Sequence, residues 1–171
     1  MRIVACELIV VVCASACGLG RGPVAGIDEI VAAYIVADTT GRLHAAAALA
    51  EWSDCEWVPS TDTVEPVSAV DVVGRRLRND TTLVSIRYSV LGRASGATFS
   101  PSPGQDTVVV PVAVNSEGQV RLQCGEYHPN HISIAEFERG WVPYLDSLSQ
   151  ARWQEARDAA AGARSTAKRQ P

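Results

Sequence analysis

Two stretches of the chain repeat with a period of two, and this pattern constrains the fold more than any other feature. Val84, Ile86, Tyr88 and Val90 alternate with Ser85, Arg87 and Ser89, and Val108, Val110, Val112 and Val114 form a second such series. Successive side chains of a strand point to opposite faces, so each stretch reads as a half-buried antiparallel strand with one apolar face. Asn79-Asp80 supplies a turn before the first strand, and Asn115-Ser116-Glu117-Gly118 a turn after the second. Val120, Leu122 and Cys124 then continue inward on a partner strand. Pro111 lies on the outer face of its strand, as at an edge or a bulge. Between the two alternating stretches, Gly92 to Asp106 is rich in glycine, serine and proline and reads as a long connection.

Helical spacing flanks these strands. Ile27, Ile30, Val31, Tyr34 and Ile35 predict an amphipathic helix over residues 28–38, with Asp28 and Glu29 at its positive N-terminal end. Gly41 interrupts the pattern, and the alanine-rich run Leu43 to Trp52 predicts a second helix. After the strands, Ser133-x-x-Glu136 is a capping box, and Ile132 with Phe137 is its hydrophobic staple. Gly140 and Pro143 break this helix; Pro143 is placed to open another, with Tyr144, Leu145 and Leu148 as its apolar face. Beyond about Ala161 the polar run reads as a disordered tail. Helices followed by hairpin strands, in a chain of 171 residues, fit one α+β domain.

The formal charge of −4 argues against a nucleic acid partner, which needs clustered positive charge. The charge is also segregated. Residues 28–71 hold nine acids against Arg42, whereas residues 75–93 hold five arginines against Asp80. The simplest reading is two faces that attract each other in the fold.

The N-terminus gives an address. Leu8 to Ala16 is apolar but too short to span a bilayer, and its length suits the central region of a signal peptide. Ala14-Ser15-Ala16-Cys17-Gly18 closes it with small residues and resembles a bacterial lipobox, in which Cys17 is the lipidated residue. The expected organisation is a signal peptide over 1–16, a lipidated cysteine and tether over 17–26, the folded domain over 27–161 and a disordered tail over 162–171. The expected location is the bacterial cell envelope, with the membrane as partner through an N-terminal lipid; a secreted or periplasmic protein is the alternative. Cys6 and Cys13 leave with the signal peptide, so Cys55 and Cys124 remain and are expected to form a disulfide in an oxidising compartment.

The series Tyr34-x-x-Ala37-x-x-x-Gly41-x-Leu43-x-Ala45-Ala46-x-x-Leu49-x-x-Trp52 resembles the opening helices of the nuclear transport factor 2-like (NTF2-like) superfamily. The resemblance implies a cone, in which N-terminal helices pack on a curved antiparallel sheet, here with a C-terminal helix added. Among the family's enzymes, ketosteroid isomerases use a first-helix tyrosine and an aspartate. Tyr34 matches the tyrosine, but Val58 stands where the aspartate belongs and cannot move a proton. No catalytic residue is assigned. Tyr34, Trp52, Trp57, Arg87 and Tyr88 are the candidates for lining a pocket, although alternation puts Arg87 and Tyr88 on opposite faces. Cys124, His128 and His131 offer three metal ligands at short spacing without a visible fourth, so no metal and no cofactor is assigned. The expected function is a non-enzymatic envelope lipoprotein that binds a small apolar ligand or a protein partner. The alternatives are an enzyme of the same fold using general acid–base chemistry, with an acid from Asp54, Glu56 or Asp62, and a structural interaction module. The resemblance also implies a homodimer formed through the sheet.

Overall fold

A computed structural model of the chain describes residues 26–40, 52–53, 63–123 and 130–167, with side chains as far as residue 163. The elements in order are helix α1 (Ile27–Thr40), strands β1 (Thr63–Arg78), β2 (Thr81–Ser95), β3 (Thr98–Val114), β4 (Val120–Leu122) and β5 (His131–Ser133), helix α2 (Ile134–Gly140), a 3₁₀ turn (Val142–Tyr144) and helix α3 (Ser147–Ala167). The strands form one sheet in the order β4-β3-β2-β1-β5. All pairings are antiparallel except β1 with β5. The fold is therefore α+β, with a curved, unclosed sheet and a C-terminal helix. Register shifts in β1–β2 and at Val90/Gly92 in β2–β3 accompany the curvature, since a bulge bends a strand and increases its twist.

The alternation holds where it is cleanest. Val84, Ile86, Tyr88, Val110, Val112 and Leu122 are buried together with Ile30, Val31, Tyr34 and Ala37 of α1. Helix α1 thus lies against the inner face of the sheet. Asn79 and Asp80 have φ of 47° and 63°, the left-handed pair that a two-residue hairpin turn requires. The charge segregation also has its counterpart, because Arg75, Arg87 and Arg93 pair with Asp28, Asp71 and Glu65.

The stretch from Gly92 to Asp106 is not a connection. It completes β2, turns at Gly96-Ala97 and begins β3, so the two strands form one long hairpin. Its prolines are tolerated for a positional reason. The β3–β4 pairing covers only Val112 to Val114, so among the described residues the outer edge of β3 around Pro101 and Pro103 has no partner strand. Gly92 marks a close approach: a Cβ there would collide with the Ser100 carbonyl oxygen and stand 2.7 Å from the Phe99 ring.

A second core gathers Val64, Leu91, Ala94, Phe99, Ile132, Phe137, Leu145 and Trp153. The Ser133 half of the capping box forms, with the Glu136 N–H donating to Ser133 Oγ at 3.3 Å, while the Glu136 carboxylate accepts from Arg139; the staple residues Ile132 and Phe137 are both buried. The last helix differs from expectation. Pro143 sits in the 3₁₀ turn, and α3 opens at Ser147, where Asp146 Oδ1 accepts from the Ser149 N–H at 2.7 Å. Leu145 is buried, but Tyr144 and Leu148 are 76% and 60% exposed; Trp153, Ala156 and Ala160 form the packed face instead. The helix also continues to Ala167, past Ala161.

Candidate functional site

Asp38 falls on the buried stripe of α1, four residues after Tyr34 and eight after Ile30, and is only 1% exposed. A carboxylate in such a place requires partners. His131 supplies two. Its backbone N–H donates to Asp38 Oδ1 at 3.2 Å, and its ring Nδ1 lies 2.9 Å from Asp38 Oδ2. The ring is 2% exposed and stacks on Tyr88, with centroids 3.7 Å apart and planes within 4°. The Tyr88 hydroxyl is buried without a hydrogen bond. Burial, and then the charge of Asp38, push its phenol far above the usual range, so it remains protonated.

The other ring nitrogen, His131 Nε2, is also buried without a hydrogen bond. It stands 3.2 Å from Asp106 Oδ2, an ion-pair contact that lacks hydrogen-bond geometry. Sheet register explains the gathering. Glu65 and His131 are partners across β1–β5, and Tyr88 and Asp106 are partners across β2–β3. Glu65 Oε1 accepts from Arg93 Nε at 3.0 Å and Nη2 at 2.7 Å. One ligand atom each of Glu65, Asp106 and His131 lies within 4.8 Å of the others. Burial alone would lower the His131 pKa, but the hydrogen bond to Asp38 and the charges of Asp38, Asp106 and Glu65 outweigh it, and the net shift is upward.

Glu65, Arg93 and Asp106 of this set line a groove of about 400 Å³, with Val90, Gln105 and Asn130 also in its lining, and His131 lies buried behind the two carboxylates. The lining is chiefly polar. An imidazole held on one side by a buried carboxylate can exchange a proton on the other, or ligate a cation there.

Of the pocket candidates named from sequence, the four that are described do not line this groove. Tyr34 and Tyr88 fill the first core, Tyr88 directly behind His131, and Trp52 packs against the same core. Arg87 faces outward and pairs with Asp71 at 3.4 Å. Trp57, Cys17, Cys55, Cys124 and His128, and the acids Asp54, Glu56 and Asp62, lie outside the described residues. Sequence reasoning missed Asp38, Glu65, Arg93 and Asp106, and weighed His131 only with Cys124 and His128. One signal was available, an aspartate on the apolar stripe of α1. Among the described residues no helix is long and apolar enough to cross a membrane. No family model, curated protein or solved structure matches the chain.

Proposed function

We propose that this chain is an exported, lipid-anchored domain of NTF2-like type that binds a small polar ligand in the groove beside Glu65, Arg93 and Asp106. The observation that carries the reading is His131 Nε2, buried and without a hydrogen bond behind the two carboxylates. A native protein rarely leaves such an atom unsatisfied without a use for it. The carboxylates suit hydroxyl or ammonium donors, and the Arg93 guanidinium suits an acceptor on the same molecule. This lining favours a polar ligand over the apolar one expected from the resemblance alone. A thermal-shift panel of monosaccharides, amino acids and small amines tests it. At least one class should raise Tm in the wild type and do so less in Asp106→Asn, because a ligand bound to the native state stabilises it. No shift from any member would overturn the reading.

A second reading, general acid–base catalysis on the bound molecule, is favoured by the Asp38–His131 pair. A buried carboxylate that orients an imidazole is a common acid–base device. Retention of turnover by His131→Gln on any substrate found would end it. The address is supported by the run Leu8 to Ala16 and by Cys17, and the intact mass of the product made in a bacterium tests it. Loss of residues 1–16 with a lipid on Cys17 is expected, and an unprocessed chain would refute the anchor. The NTF2-like reading requires a helix over 43–52, which backbone chemical shifts would reveal.

A further inference from the structure

We propose that Glu65, Asp106 and His131 form a site for one divalent transition-metal cation, with zinc the best fit, open to the groove. Three ligands of this kind leave a fourth position for water or an exogenous group, the arrangement of reactive rather than structural zinc sites. One of the three ligand–ligand distances already matches a zinc shell, and the Glu65 atom lies within 4.8 Å of the other two. Neighbouring ligands on tetrahedral zinc stand roughly 3.3 Å apart, given metal–ligand bonds of about 2.0–2.1 Å. His131 Nε2 and Asp106 Oδ2 are already 3.2 Å apart. Both Arg93 bonds fall on Glu65 Oε1, which leaves Oε2 for another partner. An imidazole ligand favours zinc over magnesium or calcium, which prefer all-oxygen shells.

Two further observations point the same way. His131 Nε2 is buried without a hydrogen bond, and Asp38 at Nδ1 is the carboxylate that metal-bound histidines characteristically carry on their far nitrogen. The charge also balances. Asp38, Glu65 and Asp106 against Arg93 leave two negative charges around a neutral ring, and a divalent cation cancels them. Asp38 is here a positioning residue: it directs the Nε2 lone pair toward the two carboxylates.

The site goes beyond the ligand reading, and its test needs no ligand. The full chain, with cysteines alkylated and metal removed by a chelator, is titrated with cobalt(II) and then with zinc. One equivalent of cobalt should give the visible bands of a low-coordinate ion, and zinc should displace it. Asp106→Asn, at a half-exposed strand position where folding is least at risk, should weaken binding at least about tenfold, as should Glu65→Gln. Asp38→Asn should weaken it about ten- to hundredfold while leaving the band shape intact. Absence of saturable binding at micromolar cobalt and zinc overturns the proposal, as does equal binding by the wild type and both carboxylate variants. The ligand panel repeated in chelator reads the groove separately.

Discussion

The two cores of this protein share strands but differ in chemistry. Val64 and Ala94, partners across β1–β2, belong to the aromatic core, while their chain neighbours Glu65 and Arg93 line the groove. On the aromatic side Trp153 meets Phe99 edge-on at 5.4 Å and Phe137 at 4.5 Å. Such rings combine large apolar burial with preferred pair geometries. On the other side a carboxylate, an imidazole and a phenol are packed together, and two of their polar atoms make no hydrogen bond. The contrast teaches how a polar site survives in a small domain. One face of a strand pair is anchored by aromatic packing, and the opposite face of the same pair can then hold charged groups in fixed positions.

The largest expected effect tests the anchor. Phe137→Ala should destabilise the protein by about 3–5 kcal/mol, the range for emptying a fully buried aromatic position. Urea denaturation measures it, and a loss below about 1 kcal/mol would show that the aromatic core is not the support. Asp38→Ala should cost about 3 kcal/mol, because it leaves the buried His131 ring without the partner at Nδ1. A much smaller loss would mean that His131 re-pairs with Asp106, and the two cores would then differ less than their composition implies.

A smaller effect follows from protonation. In metal-free protein, Asp38, Asp106 and Glu65 surround His131, Tyr88 covers its ring, and the folded-state pKa lies above the ordinary value of 6.5. The folded state therefore binds the proton more tightly than the unfolded chain. The resulting stability is fully present below about pH 6.5 and is lost as pH rises through the folded value. Chelator-treated wild type should melt lower at pH 8.5 than at pH 6, and the difference should shrink in Asp38→Asn. A flat profile would remove His131 from the charged network. The smallest effect is at Tyr88. Tyr88→Phe deletes a buried hydroxyl that makes no hydrogen bond, so stability should change by no more than about 1 kcal/mol, in the direction of a gain. A clear loss would reveal a partner for that hydroxyl and make the polar core better satisfied than it looks.

The local features were legible in the sequence because their causes lie within a few residues. The stripe of α1, the Asn79-Asp80 turn, the inward faces of β2 and β3 and the Ser133 cap each follow from side-chain period, backbone preference or a short-range hydrogen bond. The hairpin end from Gly92 to Asp106 was not legible. Its composition argues for a loop, and only pairing with β2, on a stretch of β3 with no second paired strand among the described residues, makes it strand. The C-terminal helix shows the same limit. Spacing after Pro143 points to Tyr144, Leu145 and Leu148 as its packed face, whereas only Leu145 of these is buried and contact with Phe99 and Phe137 selects Trp153.

What the sequence determined by itself is thus the kinds of element, most of their turns and the inner face of the central strands, since these depend on periodicity and local sterics. The polar site was decided by tertiary structure alone. Asp38 and His131 are 93 positions apart, and neither carries a local signature of the other. They meet because α1 lies across the sheet and β5 joins it in parallel beside β1, and that register also brings Glu65 to His131. Pairing over such a separation depends on the closure of the whole chain, which no local window contains.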